Sequence, residues 1–118
     1  MKNQIISRTK TFALDCWKFC FKVPKSREYN AFVNQLIRSS SWVGENYRAS
    51  QRAKSTADFI YKLKIVEEET DECMYWLELF DKVIDINNKQ IRTLHKEASE
   101  LLAIVVASIN TARKNQKQ

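Results

Sequence analysis

Residues 38 to 49 read Arg38-Ser39-Ser40-Ser41-Trp42-Val43-Gly44-Glu45-Asn46-Tyr47-Arg48-Ala49 and contain the only glycine of the 118-residue chain. Their apolar and polar side chains are spaced as in a helix, at about 100° per residue. One face carries Phe32, Leu36, Ser39, Val43, Asn46 and Tyr47, and the other carries Arg38, Glu45, Arg48 and Arg52. The pattern predicts a buried helix whose inner face is unusually small and polar.

The glycine, Gly44, lies in the middle of this predicted helix, where it costs about 1 kcal/mol relative to alanine. Close approach of a neighbouring helix is the usual compensation. Ser39 and Asn46 are one heptad apart on the inner face, so we expect them to be hydrogen-bonded groups that fix helix register. Packing is therefore the favoured interpretation of Ser39, Gly44 and Asn46, over a ligand-binding or catalytic role.

The composition favours long helices. A chain of 118 residues suits one domain with a single core, residues 1–118. One glycine and one proline leave few turn signals, which argues against a sheet of many strands. We predict an all-α, antiparallel up-and-down four-helix bundle that assembles into a barrel-like homo-oligomer. The predicted helices span about residues 3–22, 27–50, 56–83 and 88–113.

The sequence shows no sign of a membrane span or of a signal peptide. No window of about 18 residues is apolar and uncharged, and the first residues do not resemble a signal peptide. We therefore expect a cytoplasmic protein with no membrane partner. Cys16 and Cys20 lie one helical turn apart and Cys73 is distant, which is not the paired spacing of zinc sites. We expect reduced cysteines that act as small core hydrophobes.

The net charge of +6 is unevenly distributed. Residues 1–64 carry 13 basic and 4 acidic side chains, whereas residues 65–100 carry 4 basic and 10 acidic ones. Such asymmetry can serve a polyanionic partner, or it can let the acidic part of one subunit meet the basic part of another.

Two predicted helices carry a second apolar stripe outside the core stripe. A helix that is apolar on two sides is buried on two sides, so the excess predicts oligomerisation rather than exposed hydrophobic residues on a monomer. The stripe of the third helix lies beside Glu69 and Glu72, which could receive the lysine-bearing outer face of a neighbour's first helix. The predicted interface residues are Leu14, Trp17, Phe21, Ile65, Trp76 and Val83.

No catalytic constellation is visible in the sequence. The single histidine, His95, is expected near the core stripe of the fourth helix, where a structural role is favoured over general-base catalysis. Two-metal bundles use Glu-x-x-His pairs, and the chain has none; Glu67 and Glu68 are expected to face outward. We predict no enzymatic activity, no catalytic residues, no metal and no cofactor.

Six basic residues are candidates for nucleic-acid binding: Arg38, Arg48, Arg52, Lys54, Lys62 and Lys64. Clustered arginine and lysine suit phosphate contacts, which need charge and reach rather than a fixed motif. The alternative is a solvated surface on which Glu45 pairs with Arg48 or Arg52 at a few tenths of a kcal/mol.

Three segments carry a resemblance to a known family. They are residues 38–49, the run Lys54-Ser55-Thr56-Ala57-Asp58-Phe59-Ile60-Tyr61-Lys62-Leu63-Lys64-Ile65, and Glu72-Cys73-Met74-Tyr75-Trp76-Leu77-Glu78-Leu79. From about Thr11 to Arg113 the chain resembles the four-helix-bundle family of 23S rRNA intervening sequence proteins, which includes the accessory variability determinant of diversity-generating retroelements. Trp42 replaces a small hydroxyl residue of the family pattern, and Ala49 replaces a glutamate.

The resemblance implies a barrel-shaped homopentamer associated with nucleic acid, with a reverse transcriptase as a further partner. Two function classes stay open. In the first, an oligomeric nucleic-acid-binding or adaptor protein presents a basic face to structured RNA or DNA. In the second, the protein is a structural scaffold for protein–protein interaction without nucleic-acid binding.

Overall fold

The computed structural model describes residues 2–85 and 88–116. Within them the chain forms four helices and no strand: α1 (Lys2–Phe21), α2 (Arg27–Ser50), α3 (Thr56–Val83) and α4 (Asn88–Gln116). Each helix begins and ends within three residues of its predicted bounds. The predicted cap of the fourth helix, Asn87, lies outside the described residues.

Two serine caps fix the starts of the middle helices. The Ser26 hydroxyl accepts a hydrogen bond from the Tyr29 backbone N–H at 3.0 Å, and the Ser55 hydroxyl accepts one from the Asp58 N–H at 3.0 Å. Each bond satisfies one of the backbone donors that a helix start leaves without an intrahelical partner. The sequence predicts Ser26 as the cap of the second helix and either Ser55 or Thr56 as the cap of the third; the structure confirms Ser26 and shows that the second cap is Ser55.

Short loops connect the helices, so consecutive helices run antiparallel. Each helix packs on the next one in the chain, and α4 also packs on α1, which closes an up-and-down bundle measuring 51 × 21 × 21 Å. The predicted antiparallel four-helix bundle is confirmed. This topology places the last turns of α2 and α4 at the same end of the rod as the start of α1.

One apolar core runs along the bundle. The core stripe predicted for the first helix is buried throughout: Ile5, Thr9, Phe12, Cys16, Phe19 and Val23. On α4, Leu101 is buried and the predicted core residue Leu102 is only half-buried. The prediction for Leu102 was wrong. The next buried residue of α4 after Ala98 is three positions later, at Leu101, and not four positions later.

Gly44 lies where α1 and α2 approach most closely. A Cβ atom added at Gly44 would be 3.1 Å from Thr9 Oγ1 and 3.3 Å from Thr9 Cβ. The predicted close helix approach at Gly44 is confirmed, and Thr9 of α1 is the residue that requires it.

Ser39 and Asn46, the two polar residues predicted on the inner face, have different hydrogen-bond partners. Ser39 Oγ donates to Gln35 O at 2.9 Å and accepts from Cys73 Sγ at 3.3 Å, so it connects α2 to α3. Asn46 is half-buried, and its amide donates to Trp42 O at 2.9 Å within its own helix. The register role predicted for Asn46 was wrong, because its side chain is satisfied by the carbonyl one turn earlier.

The Gly44 packing leads to a prediction on stability. Helix propensity alone would favour Gly44→Leu by about 1 kcal/mol. We expect the substitution instead to lower the free energy of unfolding by about 1–3 kcal/mol, since overpacking forces side chains and backbone apart. Denaturation followed by circular dichroism measures this, with Ala31→Leu on the exposed face of α2 as the control. An unchanged or raised stability of Gly44→Leu would contradict the packing role.

Candidate nucleic-acid interface

The six predicted phosphate-binding residues fall into two groups. Three of them form ion pairs at the surface of the protomer: Arg38 with Glu72 at 3.0 Å, Lys62 with Asp58 at 2.9 Å and Lys64 with Glu67 at 3.5 Å. Their charge is therefore largely compensated by a neighbouring carboxylate. The other three, Arg48, Arg52 and Lys54, are exposed.

Arg38 is held by several groups at once. Its guanidinium lies 5.4 Å from the centre of the Trp42 ring, a distance suited to a cation–π interaction. Glu72, its ion-pair partner, also accepts a hydrogen bond from Trp76 Nε1 at 3.2 Å. Arg38 thus joins α2 to α3, and a phosphate would have to compete with Glu72 for it.

The Asp58 side chain has two partners: the backbone just before α3 and the Lys62 side chain. Its carboxylate accepts from Lys62 Nζ at 2.9 Å and from the Lys54 backbone N–H at 3.1 Å. The hydrogen bond from Lys62 and, next, that from Lys54 lower the pKa of Asp58 below its ordinary value. Asp58 therefore stays ionised, and Lys62 keeps an anionic partner.

Arg48, Arg52 and Lys54 lie at the last turn of α2 and in the loop that follows. Within residues 2–85 and 88–116, no side-chain nitrogen of these three residues lies within 4 Å of a carboxylate oxygen, although Asp58 accepts from the Lys54 backbone. Glu45, which the alternative interpretation paired with Arg48 or Arg52, makes no such ion pair in this part of the chain.

Two further cations lie at the same end of the rod. Arg113 and Lys114 are exposed in the last turn of α4. Phe59 connects the two regions, because it borders one groove with Lys54 and another with Ala112. We call Arg48, Arg52, Lys54, Arg113 and Lys114 the basic end. The sequence prediction missed Arg113 and Lys114, since only the antiparallel packing brings them to the end of the rod that holds Arg48.

A separate apolar surface lies on α1. Leu14, Trp17 and Phe21 are 56%, 48% and 63% exposed, and the rings of Trp17 and Phe21 meet edge to face at 4.5 Å. We call these three residues the α1 apolar face. The α1 helix of a single protomer thus leaves these three side chains about half in water, and burying the remainder would be worth roughly half of the 1.5–3 kcal/mol that full burial of a large apolar side chain provides.

The α3 part of the predicted subunit interface is less exposed. Val83 is 51% exposed, whereas Ile65 and Trp76 are half-buried. Trp76 packs on Phe32 of α2, with ring centres 5.4 Å apart. Part of this stripe is thus used within the protomer, and the surface around it is lined by carboxylates such as Glu72.

Glu69 is the one carboxylate among the described residues that has both a buried oxygen without a hydrogen-bond partner and a raised pKa. Its Oε1 atom is buried and has no hydrogen-bond partner there. Burial, followed by repulsion from Glu72, raises the pKa of Glu69 above its ordinary value, although Arg38 opposes the shift. The ionised form of Glu69 is therefore less favourable in the folded protein than in the unfolded chain.

We expect Glu69→Gln to stabilise the protein at neutral pH. A carboxyl group whose pKa is raised on folding destabilises the fold when ionised, and the effect disappears once the group is protonated in both states. The gain should be present at about pH 7 and vanish below the ordinary glutamate pKa of 4.5. Urea denaturation at both pH values measures it, with exposed Glu68→Gln as control. A gain independent of pH would show that charge is not the cause.

Few groups suited to catalysis come together. His95 is half-buried, and its Nε2 lies 2.8 Å from Glu78 Oε2, so it links α4 to α3 as a structural histidine would. This pair borders a groove of about 580 Å³ between the two helices. In the part of the chain that the structure describes, no three His, Cys, Asp or Glu side chains are grouped for a metal. Nor is any described helix long and apolar enough to cross a bilayer.

Comparison with known proteins gives a family match and similarity to solved structures. A family model described as 23S rRNA-intervening sequence protein matches residues 1–107. The fold is similar to a crystal structure from Bacteroides thetaiotaomicron VPI-5482, described as a protein with unknown function from the S23 ribosomal protein family. That structure has a TM-score of 0.84 and 28% sequence identity, and the match covers 93% of this chain and 99% of the other. No curated protein matches the chain. With the family model covering most of its length, the chain belongs to the family of 23S rRNA-intervening sequence proteins.

Proposed function

We propose that this protein is an oligomeric nucleic-acid-binding protein without enzymatic activity, which presents its basic end to structured RNA or DNA. The observation that carries the proposal is the group of exposed cations Arg48, Arg52 and Lys54, whose side-chain nitrogens form no ion pair with a carboxylate in the described residues. Uncompensated arginine and lysine release counterions when they neutralise phosphates, and this release drives binding.

Arg38, Lys62 and Lys64 are given a different role in this proposal. Their charges are compensated by Glu72, Asp58 and Glu67, respectively. Lys62 and Lys64 pair with residues on their own helix, whereas Arg38 crosses to the neighbouring one. We therefore place nucleic-acid binding at the basic end rather than along the whole outer side of α2.

Assembly makes a modest cationic cluster effective. We propose a barrel-like homopentamer in which the α1 apolar face of one copy packs on the acidic, aromatic α2–α3 side of the next. Lys18 flanks the α1 apolar face, and Glu68 and Asp71 are exposed on α3, so the two surfaces have opposite charge. Such a head-to-tail contact closes into a ring if its rotation allows. A ring repeats the basic end once per subunit, and linked weak contacts add to a higher avidity.

A reverse transcriptase is the protein partner that the resemblance to retroelement accessory proteins implies. A second candidate function is a scaffold that docks acidic protein surfaces without nucleic acid. The ion pairing of Arg38, Lys62 and Lys64 reduces the free cations available to either partner, so the salt dependence of nucleic-acid binding must separate the two functions.

Fluorescence anisotropy separates the two functions. Structured RNA and duplex DNA of equal length are titrated with the protein at several salt concentrations. We expect an affinity that falls steeply with salt, because each phosphate contact contributes about 0.7–0.9 to the slope of log K against log salt. Absence of binding to both near physiological salt would reject the nucleic-acid function in favour of the scaffold.

A further inference from the structure

A small cleft lies between α1 and α2 just beside the basic end. Its volume is about 200 Å³, and it is lined by Ile6, Lys10, Ser41, Gly44, Glu45 and Arg48. The cleft exists because the two helices meet closely at Thr9 and Gly44 while small residues of α2 leave room above that contact. Gly44 thus lies both at the helix contact and on the wall of the cleft.

Two cations, one from each helix, line this cleft. Lys10 of α1 and Arg48 of α2 are exposed, and neither has a carboxylate within 4 Å in residues 2–85 and 88–116. The Ser41 hydroxyl is already committed to Ile37 O at 2.7 Å, so it has no proton to offer an anion. The donors available to an anion in the cleft are therefore the Lys10 ammonium and the Arg48 guanidinium.

The charge of the cleft points to the class of anion. Lys10 and Arg48 contribute two positive charges and Glu45 one negative charge, which leaves a net charge of one. A phosphodiester carries a single negative charge, whereas a terminal phosphate carries close to two at neutral pH. The single charge matches a backbone phosphodiester, and the Glu45 carboxylate disfavours a more highly charged group.

We propose that the α1–α2 cleft binds one backbone phosphodiester of the nucleic acid, with Lys10 and Arg48 as its two ligands. The inference rests on the proposed nucleic-acid function and deepens it, because it adds Lys10 and fixes where the strand meets the protein. From the cleft the strand continues past Arg52 and Lys54, which follow Arg48 at the end of α2.

The single glycine provides a direct reporter. Protein labelled with [¹⁵N]glycine has one glycine amide resonance, that of Gly44, in the wall of the cleft. Structured RNA is added to the wild type, to Lys10→Gln and to Lys25→Gln, which removes the same charge from the exposed loop at the opposite end of the rod. Anisotropy is measured on the same three proteins.

We expect RNA to shift the Gly44 resonance of the wild type and of Lys25→Gln, and to leave that of Lys10→Gln nearly unchanged. Loss of one phosphate contact should also lower the salt slope by about 0.9 and weaken binding roughly five-fold near 0.15 M salt, for Lys10→Gln only. RNA binding without a shift at Gly44, or RNA affinity weakened equally by the two substitutions, would overturn the proposed phosphate site in the cleft. The proposed nucleic-acid function would still hold. No RNA binding by the wild type would overturn the proposed function itself, and the cleft with it.

Discussion

Trp17→Glu is expected to convert the assembled protein into folded monomers. Trp17 is 48% exposed in the protomer and forms the centre of the α1 apolar face with Leu14 and Phe21. In the proposed ring this side chain is buried against the next copy. A carboxylate placed there would lose its hydration without gaining a partner, which costs several kcal/mol per interface. Multi-angle light scattering at micromolar concentration measures the change in mass.

Ala103→Glu is the matched control for this substitution. It adds the same charge at an exposed position of α4, outside the proposed contact. We expect Ala103→Glu to keep the wild-type mass and both variants to keep their helical content. A wild-type protein that is monomeric at micromolar concentration, or a Trp17→Glu variant that stays assembled, would contradict the proposed ring.

The second large effect is expected from replacing Arg48, Arg52 and Lys54 together by glutamine. Loss of three phosphate contacts should lower the slope of log K against log salt by about 2.7 for each subunit that contacts duplex DNA. Near 0.15 M salt this corresponds to binding weakened on the order of 100-fold, across sequences rather than for one of them. Anisotropy over a salt series measures both quantities, and light scattering checks that the oligomer is intact.

A second triple variant controls for overall charge. Lys25, Lys89 and Lys96 are exposed away from the basic end, and their joint replacement by glutamine removes the same three charges. We expect this variant to bind nearly as well as the wild type. Equal weakening of the two variants would show that net charge alone drives binding, and full binding by the first variant would show that the strand meets another face.

The fold was largely predictable because its determinants are local. The caps Ser26 and Ser55, and the proline after the first helix, mark boundaries that depend on neighbouring residues only. Leu102 was misplaced because the phase of a helix drifts along its length, so that a step of three or four residues decides which leucine is buried.

The candidate site was predicted less well because the two residues of an ion pair can lie far apart in the sequence. Arg38 and Glu72 are separated by 34 residues, and only the packing of α2 on α3 joins them. Arg48, by contrast, forms no ion pair in the described residues, although Glu45 is three residues away on the same helix. The charge pattern of α2 alone cannot show which of its arginines is ion-paired, since the acid that pairs with Arg38 belongs to α3.

The buried cysteines have a practical consequence for labelling this protein. Cys16 and Cys73 are fully buried and Cys20 nearly so, and burial raises the thiol pKa of Cys20 to about 11 and that of Cys73 to about 12. No Cα atom of α1 lies within 8 Å of one in α3, which is too far for a Cys16–Cys73 disulfide. Thiol-directed reagents react with the thiolate, so they should pass over all three. A single cysteine introduced at the surface can therefore carry a fluorophore or spin label while the native ones remain in place.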